Sequence, residues 1–445
     1  MLNPIFFGFR DYEVMTHVLL SYKIKKLIML ELFNSLTRKK ETFVPSGDIV
    51  GIYTCGPSVY QYAHIGNFRT FVFEDVLVRY LKFKGYKVKR VMNLTDIEDK
   101  AITTAKHDGK QLSELTEYYS KIFFKDMETL DLLPADVFPK ATEHVPEMID
   151  LIKKIMENGY AYRGDDGSIY YEVSKFKDYG KLSHLKLRAG KKKIKRDDWG
   201  EDTSIISDFA VWKSYEKKDG DVFWETELGK GRPGWHIECS AMGSKHLGKR
   251  FDIHIGGIDN IFPHHENVIA QNFGAFGINP SRYWLHCRHL MVDSKKMSKS
   301  AGNFYTLHDL IDKGFKPMAV KYLMLSMNFR RRLNFTFDGL GEATEKFDMI
   351  CASIKRLEIQ NGNDDIQKIV TKTRKKFENA MDDNLNTGKA LKIMEEFSDE
   401  IKNINPDKAS TQKILGLYRI FDSIFGLQLF TSFLSASHAS WAEAA

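Results

Sequence analysis

Apolar and polar positions alternate along this chain in a way that marks out its elements. Asp48 to Tyr53 (DIVGIY) is a short apolar run that reads as a buried strand, closed by the turn chemistry of Thr54-Cys55-Gly56-Pro57. Phe68 to Phe83 places Val72, Val76 and Tyr80 on one helical face, and Lys87 to Leu94 reads as a second strand. Strand, turn, helix and strand make a βαβ unit, which implies a parallel sheet. Helical periodicity follows from about Leu112 to Asn158. Ala161 to Asp178 alternates like a small antiparallel excursion, and Lys181 to Lys230 is irregular and polar, so an insertion inside the sheet domain is expected. A strand returns at Phe251 to Ile255, followed by Gly256-Gly257; His264 to Ala275 reads as a helix and Tyr283 to Val292 as another strand. From Leu340 onward the pattern is nearly all helical, with Ile350, Ile354 and Leu357 in register and a break at Pro406. Thr431 to Ala445 is small, polar and aperiodic, as a frayed tail would be.

Composition narrows the class. A chain of 445 residues is too long for one ordinary core, and two to four domains are expected. The net charge of +7 tolerates a polyanionic partner; the basic clusters Arg38-Lys39-Lys40, Lys191 to Arg196 and Arg330-Arg331-Arg332 could serve one or could be solvated faces. The cysteines Cys55, Cys239, Cys287 and Cys351 are few and far apart, which argues for a reducing, cytoplasmic setting and against a disulfide framework. No apolar run reaches the length of a membrane span, and the residues before Met29 do not form a clean signal peptide.

The strand ending at Val292 leads into Lys296-Met297-Ser298-Lys299-Ser300, with Gly302 beyond. Two lysines in a small, hydroxylated, bendable loop suit a grip on phosphate. The first βα turn contains Ala63-His64-Ile65-Gly66-Asn67. A glycine before a helix lets ligand and backbone approach, and a helix N-terminus favours phosphate. Either segment alone is weak; together they suit a nucleotide.

These residues resemble class I aminoacyl-tRNA synthetases. His64-Ile65-Gly66-Asn67 is similar to that family's HIGH signature, with Asn67 in place of the second histidine, and Lys296 to Ser300 matches its KMSKS signature. The resemblance implies ATP binding by both, with His64, Asn67, Lys296 and Lys299 catalytic. It further implies that Gly66, Gly256, Gly257 and Asp259 line the nucleotide site. Adenylation of an amino acid by ATP–Mg²⁺ needs positioning and charge stabilisation and no protein nucleophile.

Two thiolates and an imidazole suit zinc. Thr54-Cys55-Gly56-Pro57, Gly234 to Ser240 (with Cys239) and Phe262 to Asn267 (with His264) resemble the zinc site of the cysteinyl-tRNA synthetases, which places Cys55, Cys239 and His264 on ligand positions. Trp235 and Thr70 resemble residues that contact the substrate cysteine. The family usually supplies a glutamate four residues after the histidine; here that position is Val268. A three-ligand site with one Zn²⁺ per chain is therefore expected, or a fourth ligand from Glu266 or His265. Asn93 to Lys100, Asp208 to Lys213, His254 to Asp259 and Asp382 to Thr387 extend the resemblance over roughly residues 29 to 428.

The implied architecture is α/β: a Rossmann-type parallel-sheet catalytic domain with an inserted connective domain, then an all-α bundle. The expected divisions are an N-terminal extension without order (1–28), the first half of the sheet domain (29–120), the insertion (121–227), and the second half (228–292). The lysine loop and a stem-contact region (293–339), a helical tRNA-binding bundle (340–428) and an irregular tail (429–445) follow. The implied partners are tRNA(Cys), ATP and L-cysteine, with no membrane and a monomeric state. Nothing near the C-terminus resembles the family's anticodon-reading domain. That leaves open a cysteine-adenylating ligase with a non-tRNA acceptor of the mycothiol type, and a non-catalytic tRNA-binding paralogue.

Overall fold

The computed structural model describes residues 29–184, 194–195, 207–299, 301–357 and 366–430. The Lys191 to Arg196 side chains, Ser300, the N-terminal extension and the aperiodic tail lie outside the described residues.

In chain order, β1 (Glu31–Asn34) and β2 (Lys39–Thr42) form a hairpin, followed by β3 (Ile49–Thr54), α1 (Ile65–Phe83) and β4 (Lys87–Met92). Helices α2 (Asp99–His107), α3 (Leu112–Thr129) and α4 (Val145–Glu157) lead to β5 (Ala161–Arg163), β6 (Ile169–Tyr171), β7 (Ile194–Lys195), β8 (Asp208–Ser214) and β9 (Gly231–Pro233). Next come α5 (Trp235–Leu247), β10 (Phe251–Gly257), α6 (His264–Phe276), β11 (Ser281–Cys287), β12 (Leu290–Val292) and β13 (Lys295–Lys296). The chain continues through α7 (Leu307–Asp312), α8 (Pro317–Leu325) and β14 (Leu333–Phe335), and ends in α9 (Phe337–Leu357), α10 (Gln367–Asp382), α11 (Thr387–Glu400) and α12 (Lys408–Phe425).

The central sheet is parallel, in the order β11-β10-β3-β4. Its strands read as apolar runs because helices cover both faces. Helix α1 crosses from β3 to β4 and buries Phe68, Val72, Val76 and Leu77 against the sheet. Between β4 and α5 lies a separate sheet, β5-β6-β8-β7, with β9 on β8. An α/β Rossmann-like core with an inserted sheet and a helical C-terminal region is thus the fold.

Three elements differ from the sequence pattern. The helical stretch from Leu112 is two helices, α3 and α4, because Pro134 and Pro139 fall in the segment between them. The stretch Lys181 to Lys230 contains β8, disguised by charged residues that are buried: Lys213 is fully buried and reaches Asp99 at 2.9 Å. The apolar run Tyr283 to Val292 is two strands in two sheets. It breaks at Arg288-His289, after which β12 pairs with β13 and β14.

Two of the basic clusters make structural contacts. Lys40 pairs with Asp383 at the end of α10, and the Arg330 guanidinium stacks on the Phe33 ring. Helix α1 is tied to the C-terminal helices by buried charge. Asp75 accepts from Arg79 Nε at 2.8 Å, from Lys321 Nζ at 3.3 Å and from the Leu133 N–H at 2.9 Å. Lys321 also donates to the Gly426 carbonyl at 3.0 Å, and Tyr80 donates to Asp382 at 2.8 Å. Lys321 is fully buried, so its removal leaves Asp75 short of a partner. Lys321→Ala is expected to destabilise the protein by about 3–5 kcal/mol. A urea denaturation midpoint close to that of the unmodified protein would refute this.

Candidate active site

The carboxyl ends of parallel strands are where open α/β sheets bind ligands, and the chemistry gathers there. Helix α1 begins at that edge with His64 as its N-cap. The Asn67 N–H donates to His64 Nδ1 at 3.1 Å, and the His64 N–H donates to Asn67 Oδ1 at 3.1 Å. This is a reciprocal capping box, so Asn67 satisfies the helix start through its oxygen and keeps its amide nitrogen for another partner. Gly66 makes the turn feasible: a Cβ there would come within 2.9 Å of the His64 ring.

Burial lowers the His64 imidazole from the ordinary 6.5 to about 4. Nδ1 can accept the Asn67 N–H only in the neutral ring. Between the two values the unfolded chain binds more protons than the folded one. The stability contributed is therefore complete above about pH 6.5 and is lost as pH falls through about 4. An imidazole resonance that stays flat down to about pH 5 is expected, assigned by its absence in His64→Gln. Titration near 6.5 would mean that the capping box does not form.

The lysine loop folds back onto this turn. The Ile65 N–H donates to the Tyr305 carbonyl at 2.9 Å, and the Phe304 ring stands edge-on to His64 at 5.2 Å between centroids. Asn303 braces the loop, accepting from the Ser298 N–H at 2.9 Å and donating to the Lys296 carbonyl at 3.2 Å. Gly302 takes a left-handed φ of 65° to close the bend. Lys299 lies 5.4 Å from the Phe304 centroid, exposed to solvent.

Two adjoining cavities meet at this edge. The larger, about 510 Å³, is lined by Cys55, His64, Asn67, Trp235, Cys239, Asp259, His264 and Lys296. The smaller, about 200 Å³, shares Cys55, His64, Asn67, Asp259 and Lys296 and adds Gly66, Thr70, Gly257, His289 and Met297. The structure thus brings His64, Asn67 and Lys296 together. Lys299 lies outside both linings, and Thr70 and Trp235 line different cavities. Gly256 lines neither; a Cβ there would come within 2.9 Å of the His265 ring and 2.8 Å of Asn260. Asp259 pairs with His289 at 3.3 Å.

The larger cavity is also lined by members of a buried Cys/His cluster. One ligand atom each from Cys55, His264 and His265 lies within 4.8 Å of the others, and His264 Nε2 is 3.3 Å from Cys239 Sγ. His265 Nε2 is 3.1 Å from Cys55 Sγ. Cys55 follows β3 directly, Cys239 projects from α5, and both histidines open α6. A hydrogen bond from Cys55 holds Cys239 well below the usual thiol range, with His264 contributing, while burial pushes Cys55 up. Burial also holds His265 and His254 well below the ordinary imidazole value, and lowers His286 to about 3. A neutral imidazole at His265 and a ready thiolate at Cys239 are protonation states that a thiophilic divalent cation requires.

Of the two candidates for a fourth ligand, Glu266 is engaged elsewhere. Its carboxylate accepts from the Gly180 N–H and the Ser183 N–H, each at 2.8 Å. His265 points into the cluster. Val268, one turn beyond His264, is buried among apolar side chains.

Sequence reasoning missed a shell of histidines behind these residues. His236 Nδ1 lies 3.0 Å from His264 Nδ1, and His286 Nε2 lies 2.8 Å from His265 Nδ1. His254 Nε2 lies 3.6 Å from Cys55 Sγ. Such partners orient ligating imidazoles. Their signal was present in the sequence as histidines beside Cys239, on β10 and at the end of β11. Asn260, His289 and Met297 were missed as lining residues for want of any such signal.

Comparison with known proteins agrees with this geometry. Residues 42–345 match the family model described as the class I (C) tRNA synthetase catalytic domain, and residues 376–430 match the DALR domain. The chain is 47% identical over 373 residues to a cysteine–tRNA ligase of Brachyspira hyodysenteriae, covering 81% of this chain and 78% of that protein. It is 44% identical over 420 residues to a cysteine–tRNA ligase of Chlamydia muridarum, covering 90% and 88%. Among solved structures, Mycobacterium tuberculosis methionyl-tRNA synthetase in complex with methionyl-adenylate superposes with a TM-score of 0.60 at 14% identity, covering 86% of this chain and 91% of that one, which speaks to the fold. The chain belongs to the cysteinyl-tRNA synthetase family of the class I aminoacyl-tRNA synthetases.

Proposed function

We propose that this site activates L-cysteine with ATP and transfers it to the 3′ end of tRNA(Cys). The observation that carries the reading is one cleft lined both by the signature residues His64, Asn67 and Lys296 and by Cys55, Cys239 and His264 of the Cys/His cluster. ATP–Mg²⁺ is read into the smaller cavity, with the adenosine beside Gly257 and its phosphates over the first turn of α1. His64 and the amide nitrogen of Asn67 hold phosphate oxygens there. Lys296, which lines both cavities, and Lys299, on the exposed bend of the same loop, neutralise charge as pyrophosphate leaves. The cysteine carboxylate attacks the α-phosphorus and displaces pyrophosphate, giving cysteinyl-adenylate; a terminal hydroxyl of tRNA then attacks its carbonyl carbon, forming the aminoacyl ester and releasing AMP.

Cys55, His264 and His265 fit a zinc ion by donor type, burial and proximity, and Cys239 adjoins that group through its 3.3 Å contact with His264. A zinc ion held there would bind the substrate thiolate and pass over the hydroxyl of serine. Trp235, stacked on His264 at 4.5 Å, closes the pocket around the substrate. Among the described residues no helix is long and apolar enough to cross a membrane.

Cysteine-dependent pyrophosphate exchange and charging of tRNA(Cys) test the reading together. Both activities are expected. Exchange without charging would reassign the acceptor, and absence of exchange would overturn the function.

A further inference from the structure

Next to the cleft the surface carries two exposed aromatic rings backed by a half-buried third, Tyr119. Tyr62 is 38% exposed and Tyr118, on α3, is 48% exposed. Their hydroxyls lie 3.4 Å apart. Tyr119 stands edge-on to Tyr62 at 5.5 Å and to Tyr118 at 5.1 Å. Beneath Tyr62, the ring of His308 packs edge-on at 5.5 Å and is itself held by Asp126 at 2.9 Å. Lys110 Nζ lies 5.7 Å from the Tyr118 ring centroid. These contacts hold the rings together while Tyr62 and Tyr118 keep part of their surface in water, an apolar exposure that a partner could use.

The patch is continuous with the site. Tyr62 lines the larger cavity two residues before His64, so one loop carries both the rim ring and the phosphate grip. We propose that Tyr62 and Tyr118 form a stacking platform for the unpaired 3′-terminal nucleotides of tRNA as they enter the cleft. This rests on the aminoacyl-transfer reading above. The accepting hydroxyl must reach the cleft, so an unpaired strand has to cross its rim. Fixed aromatic faces hold unpaired bases with little regard to sequence, and rings already ordered lose little freedom on binding. Charge is mixed nearby, since Lys121 on α3 is paired with Glu117 at 3.0 Å. The platform's contribution is assigned to stacking on the two rings.

The test uses the full chain with Tyr118→Ala and Tyr118→Trp. An exposed ring can be removed without a folding cost, which a thermal melt checks. Tyr118→Ala is expected to lower kcat/KM for tRNA by about tenfold, to leave cysteine-dependent pyrophosphate exchange unchanged, and to leave the salt dependence of tRNA binding unchanged. Tyr118→Trp restores charging. The binding penalty disappears with tRNA trimmed of its unpaired 3′ nucleotides. Normal charging by Tyr118→Ala, a parallel loss of exchange, or a penalty that persists with trimmed tRNA would each overturn the platform. Failure of the unmodified protein to charge tRNA at all would instead refute the underlying function.

Discussion

Replacing Cys239 by serine is expected to remove bound zinc and to lower kcat/KM for cysteine in pyrophosphate exchange by about a thousandfold or more. Cys239 is buried, with its sulfur 3.3 Å from His264 and its thiol held well below the usual range by a hydrogen bond from Cys55. A hydroxyl there cannot present a thiolate, and a site built around soft donors loses its discrimination with the cation. Serine is close to isosteric, so the fold should survive and the melting temperature should shift only slightly. The readouts are metal per chain by mass spectrometry and exchange rates with cysteine and with serine. Zinc retained near one per chain, with activity within tenfold of the unmodified protein, would sink the metal assignment. His265→Gln separates the two views of the fourth position. Weakened metal affinity is expected if His265 holds the cation, and none if it only buttresses Cys55.

The second large effect is expected at Lys299. Lys299→Ala should lower kcat for exchange by about a hundredfold to a thousandfold and lower kcat/KM to match, which is the mark of an interaction made only in the transition state. Lys299 is exposed, braced at the bend by the Gly302 N–H to its carbonyl at 3.1 Å, and lies outside the cavity linings. Its loss therefore costs little stability, and the effect reads as chemistry. Lys296→Ala, which empties a lining position, should raise KM for ATP as well. Lys295→Ala, next door on β13 and outside both linings, is the control and should stay within about threefold. A Lys299→Ala enzyme with normal kcat would show that the loop does not close on the phosphates.

Much of this was legible in the sequence for identifiable reasons. The β3-α1-β4 unit showed because its apolar run, its turn and its helical face use the ordinary periods without exception. Helix α1 begins three residues before the apolar pattern does, since its start is built from the polar pair His64 and Asn67. Strand β8 was hidden because a strand buried on both faces may carry charge when each charge is met, as Lys213 is by Asp99. The cluster was half legible. Cys55, Cys239 and His264 are far apart in sequence and only a resemblance joined them. His265 stayed an open alternative because adjacent helical residues diverge by about 100°. At the first turn of α6 both rings nevertheless reach the cluster, His264 beside Cys239 and His265 beside Cys55.

The buried charges that bind α1 to the C-terminal helices also constrain how such a chain can vary through descent. Asp75 is shared by Arg79, Lys321 and the Leu133 N–H, and Lys321 is shared in turn with Gly426. A change at one of these positions strands the others without water, so the energies of single changes do not add. Asp75 and Lys321 should therefore be inherited together or exchanged together for an apolar pair. Descendants that drift at only one of them fall into a fitness valley.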